Sequence, residues 1–140
     1  MLNIEEELIK EEGLSLSCYK DSLGNFTVGV GHLLKSPCET ITLEYAGKLL
    51  KEDIKIAIDS LRKNVPVFSE LDNVRQYVLI SMAFNLGIKR LLSFKKMLLA
   101  LESKNYEVAA KEMKDSLWYR QVKGRAEKLI NLMKKGNENG

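Results

Sequence analysis

A chain of 140 residues with 45% apolar side chains can bury the core of one globular domain, and its composition excludes a disordered polymer. Two cysteines and one histidine are too few and too scattered for a zinc or iron centre, so no metal and no cofactor is expected, and Cys18 and Cys38 are read as free thiols. The net charge of +3 is laid out unevenly: Glu5, Glu6, Glu7, Glu11 and Glu12 crowd the start, while Lys104, Lys111, Lys114, Arg120, Lys123, Arg125, Lys128, Lys134 and Lys135 fill the last third, a bias that draws polyanions without choosing among them.

Taken in chain order, Asn3 is placed to cap a first helix, with Glu6 three residues on as in a capping box, and Ile4, Leu8 and Ile9 give that helix an apolar side. Gly13 is its natural stop, which leaves Glu12 at the C-terminal end, where the helix dipole disfavours negative charge. From Leu14 the period becomes two. Leu14, Leu16 and Cys18 alternate with polar residues, Asp21-Ser22-Leu23-Gly24-Asn25 has turn chemistry, and Phe26 to His32 alternates again, so a hairpin is expected. On its second strand Phe26, Val28, Val30 and His32 share one face, and Thr27, Gly29 and Gly31 the other. Glycines beside one hydroxyl fit the close approach of a ligand, and equally a bend or bulge.

Leu33 to Thr40 is a short linker broken at Pro37. Thr42 is the expected cap of a long helix reaching about Asn64, with Ala46, Leu49, Leu50, Ile54, Ala57, Ile58 and Leu61 on one stripe. Asp53 falls on that stripe, and a carboxylate there wants a partner. His32 is the only histidine available, so His32 and Asp53 are expected to form a structural ion pair rather than to act in catalysis. Beyond Pro66 the pattern is helical throughout: a central helix over Tyr77 to Phe84 stopped by Gly87, two helices capped by Ser93 and Asn105, a final helix holding Arg125, Leu129, Ile130, Leu132 and Met133, and a frayed tail from Gly136 to Gly140. The expected class is α+β, one domain over 1–140. It would comprise a small lobe with a short antiparallel sheet at about 13–40, a connecting helix at about 41–64, and an all-helical lobe at about 65–140 packed with the N-terminal helix.

Glycoside cleavage needs a carboxylic acid to protonate the leaving oxygen and, as a rule, an ionised carboxylate across the sugar, in environments that set the two apart. Glu12 at a helix end and Asp21 at a turn can face one groove, and Thr27, on the uncluttered strand face, can hold a water for Asp21. Carboxylates so spaced occur in any protein, so spacing by itself does not assign the chemistry.

The segments Glu12-Gly13, Tyr19-Lys20-Asp21 and Phe26-Thr27-Val28-Gly29-Val30-Gly31-His32 resemble the N-terminal signature of the phage lysozyme family, glycoside hydrolase family 24. The family's pattern of Glu, eight residues, Asp, five residues, Thr is met by Glu12, Asp21 and Thr27. The likeness continues through Lys35-Ser36-Pro37, Lys48-Leu49-Leu50 to Asp53, Phe84-Asn85-Leu86-Gly87, Trp118-Tyr119, Gln121 and Arg125-Ala126. It implies a lysozyme-like fold and cleavage of the β-1,4 bond between N-acetylmuramic acid and N-acetylglucosamine in peptidoglycan. Glu12 would be the general acid, with Asp21 and Thr27 activating water. Leu33 and Phe84 match positions lining the saccharide cleft, with Asn85 beside them, and Arg125 matches an arginine that approaches the acid. Plain packing for Phe84, helix ending for Asn85, a solvated base for Arg125 and core anchoring for Trp118 and Tyr119 stay open beside those roles.

The segment between His32 and the long helix is shorter than in well-known phage members, which puts the tie between lobes in question. Met1 to Lys10 has neither the basic start nor the apolar run of a signal peptide, and no stretch approaches the ~20 apolar residues of a membrane span. Synthesis and retention in the host cytoplasm are therefore expected, with passage to the wall depending on a membrane-permeabilising partner such as a holin. A monomer is expected, and nucleic-acid binding has no groove-reading motif in its favour. Two rivals remain: a lytic transglycosylase, and a non-catalytic cationic protein that disrupts wall or membrane.

Overall fold

The computed structural model describes residues 3–13, 15–20, 26–29, 32–33 and 42–137, the strands by their backbone alone. The chain divides into two compact units, Met1–Ile56 and Ala57–Gly140.

In the first unit, α1 (Ile4–Glu12) starts as the sequence predicts: the Asn3 side chain accepts the Glu6 N–H at 3.0 Å, and Glu5, Glu6 and Glu7 face the positive end of the helix dipole. Leu8 is fully buried. Gly13 ends the helix at φ +76°, ψ 167°, a region essentially reserved for glycine, with its N–H on the Ile9 carbonyl at 2.8 Å.

Three antiparallel strands follow, β1 (Ser15–Lys20), β2 (Phe26–Gly29) and β3 (His32–Leu33), in the order β1-β2-β3. Tyr19 pairs with Thr27 and Lys20 with Phe26, but the register shifts before Ser15 meets Gly29, as a bulge in β1 requires. The expected single strand from Phe26 to His32 is overturned. β2 stops at Gly29 and the chain folds back, setting Val28 opposite His32 and Thr27 opposite Leu33. Gly29 is thus a strand end next to a reversal of chain direction.

The α+β class is corrected as well. Among the described residues the strands hold only twelve, the last strand two, against about 20–25% strand in an ordinary globular domain, while eight α-helices carry the rest. The sheet is a minimal ribbon between helices, too small to be the layer on which a β lobe is built, and the fold is mainly helical.

The helix α2 (Leu43–Asn64) has the bounds expected from its stripe, and the boundary between the units falls inside it. Thr42 Oγ1 accepts the Tyr45 N–H at 3.1 Å. Ala46, Leu49, Leu50, Ile54 and Leu61 are buried, and Asp53, Ala57 and Ile58 are half-buried.

The second unit opens with a 3-10 turn at Pro66–Glu70 and then α3 (Asn73–Leu86), capped by Asp72. Tyr77, Val78, Leu79, Ile80, Ser81 and Met82 are buried in succession, so α3 is surrounded and is the central helix. Around it come α4 (Ile88–Leu92), α5 (Lys95–Glu102), α6 (Tyr106–Lys114), α7 (Leu117–Gln121) and α8 (Lys123–Lys135). Asn105 caps α6 as expected, its side chain accepting the Val108 N–H at 3.3 Å. Ser93 does not cap α5: it closes α4, its hydroxyl donating to the Arg90 carbonyl at 2.5 Å, and Phe94 precedes α5 with no side-chain cap. Nor is the start of the tail frayed. Gly136 donates to the Leu132 carbonyl and Asn137 N–H reaches Asp72 Oδ2 at 3.1 Å, pinning the end of α8 to the start of α3.

Candidate active site

Glu12 is the last residue of α1, placed there because Gly13 lets the backbone leave the helix at once. Its side chain is half-buried, and Oε1 is shielded from solvent. Thr27 lies on the central strand β2, paired on one side with Tyr19 and on the other with Leu33. The ribbon thus sets Thr27 and Leu33, two residues named from the sequence, directly across from each other. Asp21 lies outside the described residues; it follows Lys20, the last residue of β1. The expected His32–Asp53 pair also lies outside them, because His32 is described only as the backbone partner of Val28.

In the second unit, Phe84 and Asn85 occupy the last turn of α3 and are half-buried. Asn85 Oδ1 accepts the Trp118 indole N–H at 2.7 Å, and Trp118 is only 2% exposed. A buried indole needs an acceptor, but nothing in the sequence says which of the distant polar residues supplies it. Trp118 also meets Phe94 edge to face, with ring centroids 6.3 Å apart at 80°. Trp118 is therefore a core anchor whose polar edge holds the end of α3.

Arg125 is on α8, half-buried, with Nη2 shielded from solvent. Near it in the chain, the Tyr119 hydroxyl donates to Glu127 Oε1. That bond to a carboxylate, helped by burial and by repulsion from the Glu127 charge, raises the tyrosine pKa above its ordinary value. Among the described residues no three His, Cys, Asp or Glu side chains gather as metal ligands, and no helix is long and apolar enough to cross a membrane.

Glu12 at a helix end and Thr27 on the ribbon, the acid and the hydroxyl of the sequence pattern, both lie in the first unit. The family model for phage lysozyme matches residues 9–137, and the chain belongs to that family. Among similar proteins, the Dictyostelium discoideum protein named "Probable T4-type lysozyme 1" is 30% identical, with 98% of this chain aligned to 96% of that one. The "Pre-baseplate central spike protein Gp5" of Enterobacteria phage T4 is 33% identical over 97% of this chain, which spans only 28% of that longer protein. The "Endolysin" of Salmonella phage P22 is 38% identical over 74% of this chain and 73% of its own. The alignment with the Dictyostelium protein runs to 164 positions, longer than the chain itself, so that relative carries insertions that this chain lacks.

Proposed function

We propose that the chain is a single-domain endolysin that hydrolyses the β-1,4 bond between N-acetylmuramic acid and N-acetylglucosamine, with Glu12 as general acid and Asp21, assisted by Thr27, activating water. The observation that carries this reading is family membership over residues 9–137 together with a half-buried Glu12 at the Gly13 stop, inside the Glu-Asp-Thr pattern. A carboxyl at the negative end of a helix dipole, with one oxygen withdrawn from water, is suited to carry the proton that the bridging oxygen needs. Asp21, next along that pattern, would polarise water on the opposite face of the sugar, and inversion follows if the two carboxyl groups stand ~6.5–9.5 Å apart. Leu33, Phe84 and Asn85 would border the saccharide, and Arg125 would approach the acid and oppose the dipole's effect on it.

The substrate would then lie beyond the membrane of the cell that makes the protein. Release would depend on a permeabilising partner of the holin kind, and the enzyme would act as a monomer. The test is Glu12→Gln on purified peptidoglycan. Loss of the proton donor is expected to cut turnover by about 10³-fold while wall binding is kept, in line with general-acid contributions. Clearance at the parent rate would show that Glu12 is not the acid. Free reducing ends among the products mark hydrolysis, whereas anhydro ends would assign a transglycosylase.

A further inference from the structure

The middle of α3 is filled by large apolar residues with one exception. Tyr77, Val78, Leu79, Ile80 and Met82 are each at most 1% exposed, and Ser81 stands among them at 0%. Serine is neither a strong helix former nor a residue of the interior, so propensity and burial both favour another side chain there. A local rule broken at the centre of a surrounded helix asks for a reason.

The Ser81 hydroxyl sharpens the question. Its oxygen is shielded from solvent and has no hydrogen-bond partner among the described residues. A helical serine ordinarily turns its hydroxyl back onto a carbonyl of the preceding turn. Elsewhere in the second unit that bond is made: Ser93 donates to the Arg90 carbonyl and Ser116 to the Met113 carbonyl. Ser81 makes no such bond. A buried hydroxyl left dry forfeits the bonds it had with water, which is why native interiors pair such groups with protein or with ordered water.

The neighbourhood decides what kind of guest fits. Arg75 and Ser81 are the polar or charged residues buried among those described, and Arg75 is already engaged by the α8 carbonyls and Asp72. An ion beside Ser81 would therefore lack a counter-charge, and a purely apolar guest would leave the hydroxyl as dry as before. In a row of Tyr, Val, Leu, Ile and Met, serine is also the small side chain, so a Leu-sized share of its face of α3 falls to neighbours or to a guest. We infer that the site takes one water molecule, held by the Ser81 hydroxyl and by the Val78 carbonyl three residues back. A helical carbonyl has two lone pairs and the ladder uses one, so a water can join the hydroxyl to it without breaking the helix. Two such partners are what a buried water needs.

Oxygen-17 relaxation dispersion of the solvent counts long-lived waters on the intact chain, and it is blind to the exchange of the serine proton itself. Globular proteins hold about one buried water per 27 residues, so the quantity to read is the difference between parent and variant. Ser81→Ala is expected to lose the amplitude of one long-lived water. It should also melt about 2–4 °C below the parent, although alanine is the better helix former. An unchanged amplitude overturns the inference. So does a higher melting temperature, the result that deletion of a dry, unsatisfied hydroxyl gives. No residue needs a catalytic role for this, and activity does not enter the test.

Discussion

The guanidinium of Arg75 lies over the ring of Tyr106, its central carbon 3.4 Å from the ring centre. Each of its three nitrogens donates. Nε donates to the Met133 carbonyl at 2.6 Å, Nη2 to the Lys134 carbonyl at 2.8 Å, and Nη1 to Asp72 Oδ1 at 3.0 Å. One side chain on α3 thus satisfies two of the carbonyls that α8 must leave open at its end, pairs with the residue that caps its own helix, and rests on the first residue of α6. The same Asp72 accepts the backbone N–H groups of Arg75 and Asn137.

This arrangement depends on a flat fork of donors, which lysine does not possess. Arg75→Lys is therefore expected to lose most of what Arg75→Ala loses, about 2–4 kcal/mol, the cost of leaving α8 carbonyls and a partly buried carboxylate unpaired. Urea unfolding followed by circular dichroism measures both variants. If Arg75→Lys unfolds at the parent midpoint, the planar fork is not what holds these helices.

Gly136 is the glycine that the network needs. It closes α8 at φ +58°, and a Cβ built on it would collide with the Arg75 guanidinium. At Gly13 and Gly87, also at positive φ, an added Cβ would meet nothing within 4 Å among the described residues. Gly13→Ala should therefore cost only backbone strain, about 1–2 kcal/mol, and Gly136→Ala clearly more. In an Arg75→Ala background the excess at Gly136 should shrink toward the Gly13 value, a coupling that a double-mutant cycle reads directly. Additive effects of the two substitutions would remove the collision from the explanation.

These contacts show where sequence reasoning reached and where it stopped. The helix α2 was legible because Thr42 and its apolar stripe lie within one segment, and the stops at Gly13 and Gly87 because a glycine after a periodic run has a local meaning. The work of Arg75 was not legible, since it caps carbonyls 58 and 59 residues away and carbonyls carry no sequence signature. Alternation from Phe26 to His32 conceals the reversal after Gly29, because both strands of an antiparallel pair keep a period of two. Ser93 closes α4 and does not open α5, because a hydroxyl can serve an end as readily as a start. At the candidate site, the position of Glu12 at a helix end followed from Gly13, whereas the bond between Asn85 and Trp118 joins residues 33 apart and needed coordinates.

That bond carries its own consequence. Asn85→Ala leaves a buried indole N–H without its acceptor, which is expected to cost about 1–3 kcal/mol. Asn85→Asp keeps an oxygen in place and should retain most of the stability. Hydrogen exchange of the single indole N–H gives the site-specific readout, faster in Asn85→Ala than in Asn85→Asp. Equal exchange in parent and alanine variant would mean that Asn85 does not hold Trp118.

The bond from Tyr119 on α7 to Glu127 on α8 sets a pH dependence whose sign is fixed. Hydrogen bonding to the carboxylate, then burial, then the Glu127 charge raise the tyrosine pKa above 10.0, so the folded chain holds this proton more tightly than the unfolded chain does. The stabilisation is complete below the unfolded tyrosine value of about 10 and disappears as pH climbs through the higher folded value. Tyr119→Phe should accordingly melt below the parent at pH 7 to 9, with the gap closing in stronger alkali. Of the five tyrosines, the one missing from the variant's ultraviolet titration should be a late one. A melting gap that persists unchanged after the parent's tyrosines have all ionised would place the stabilisation in ring packing, not in the proton shared with Glu127.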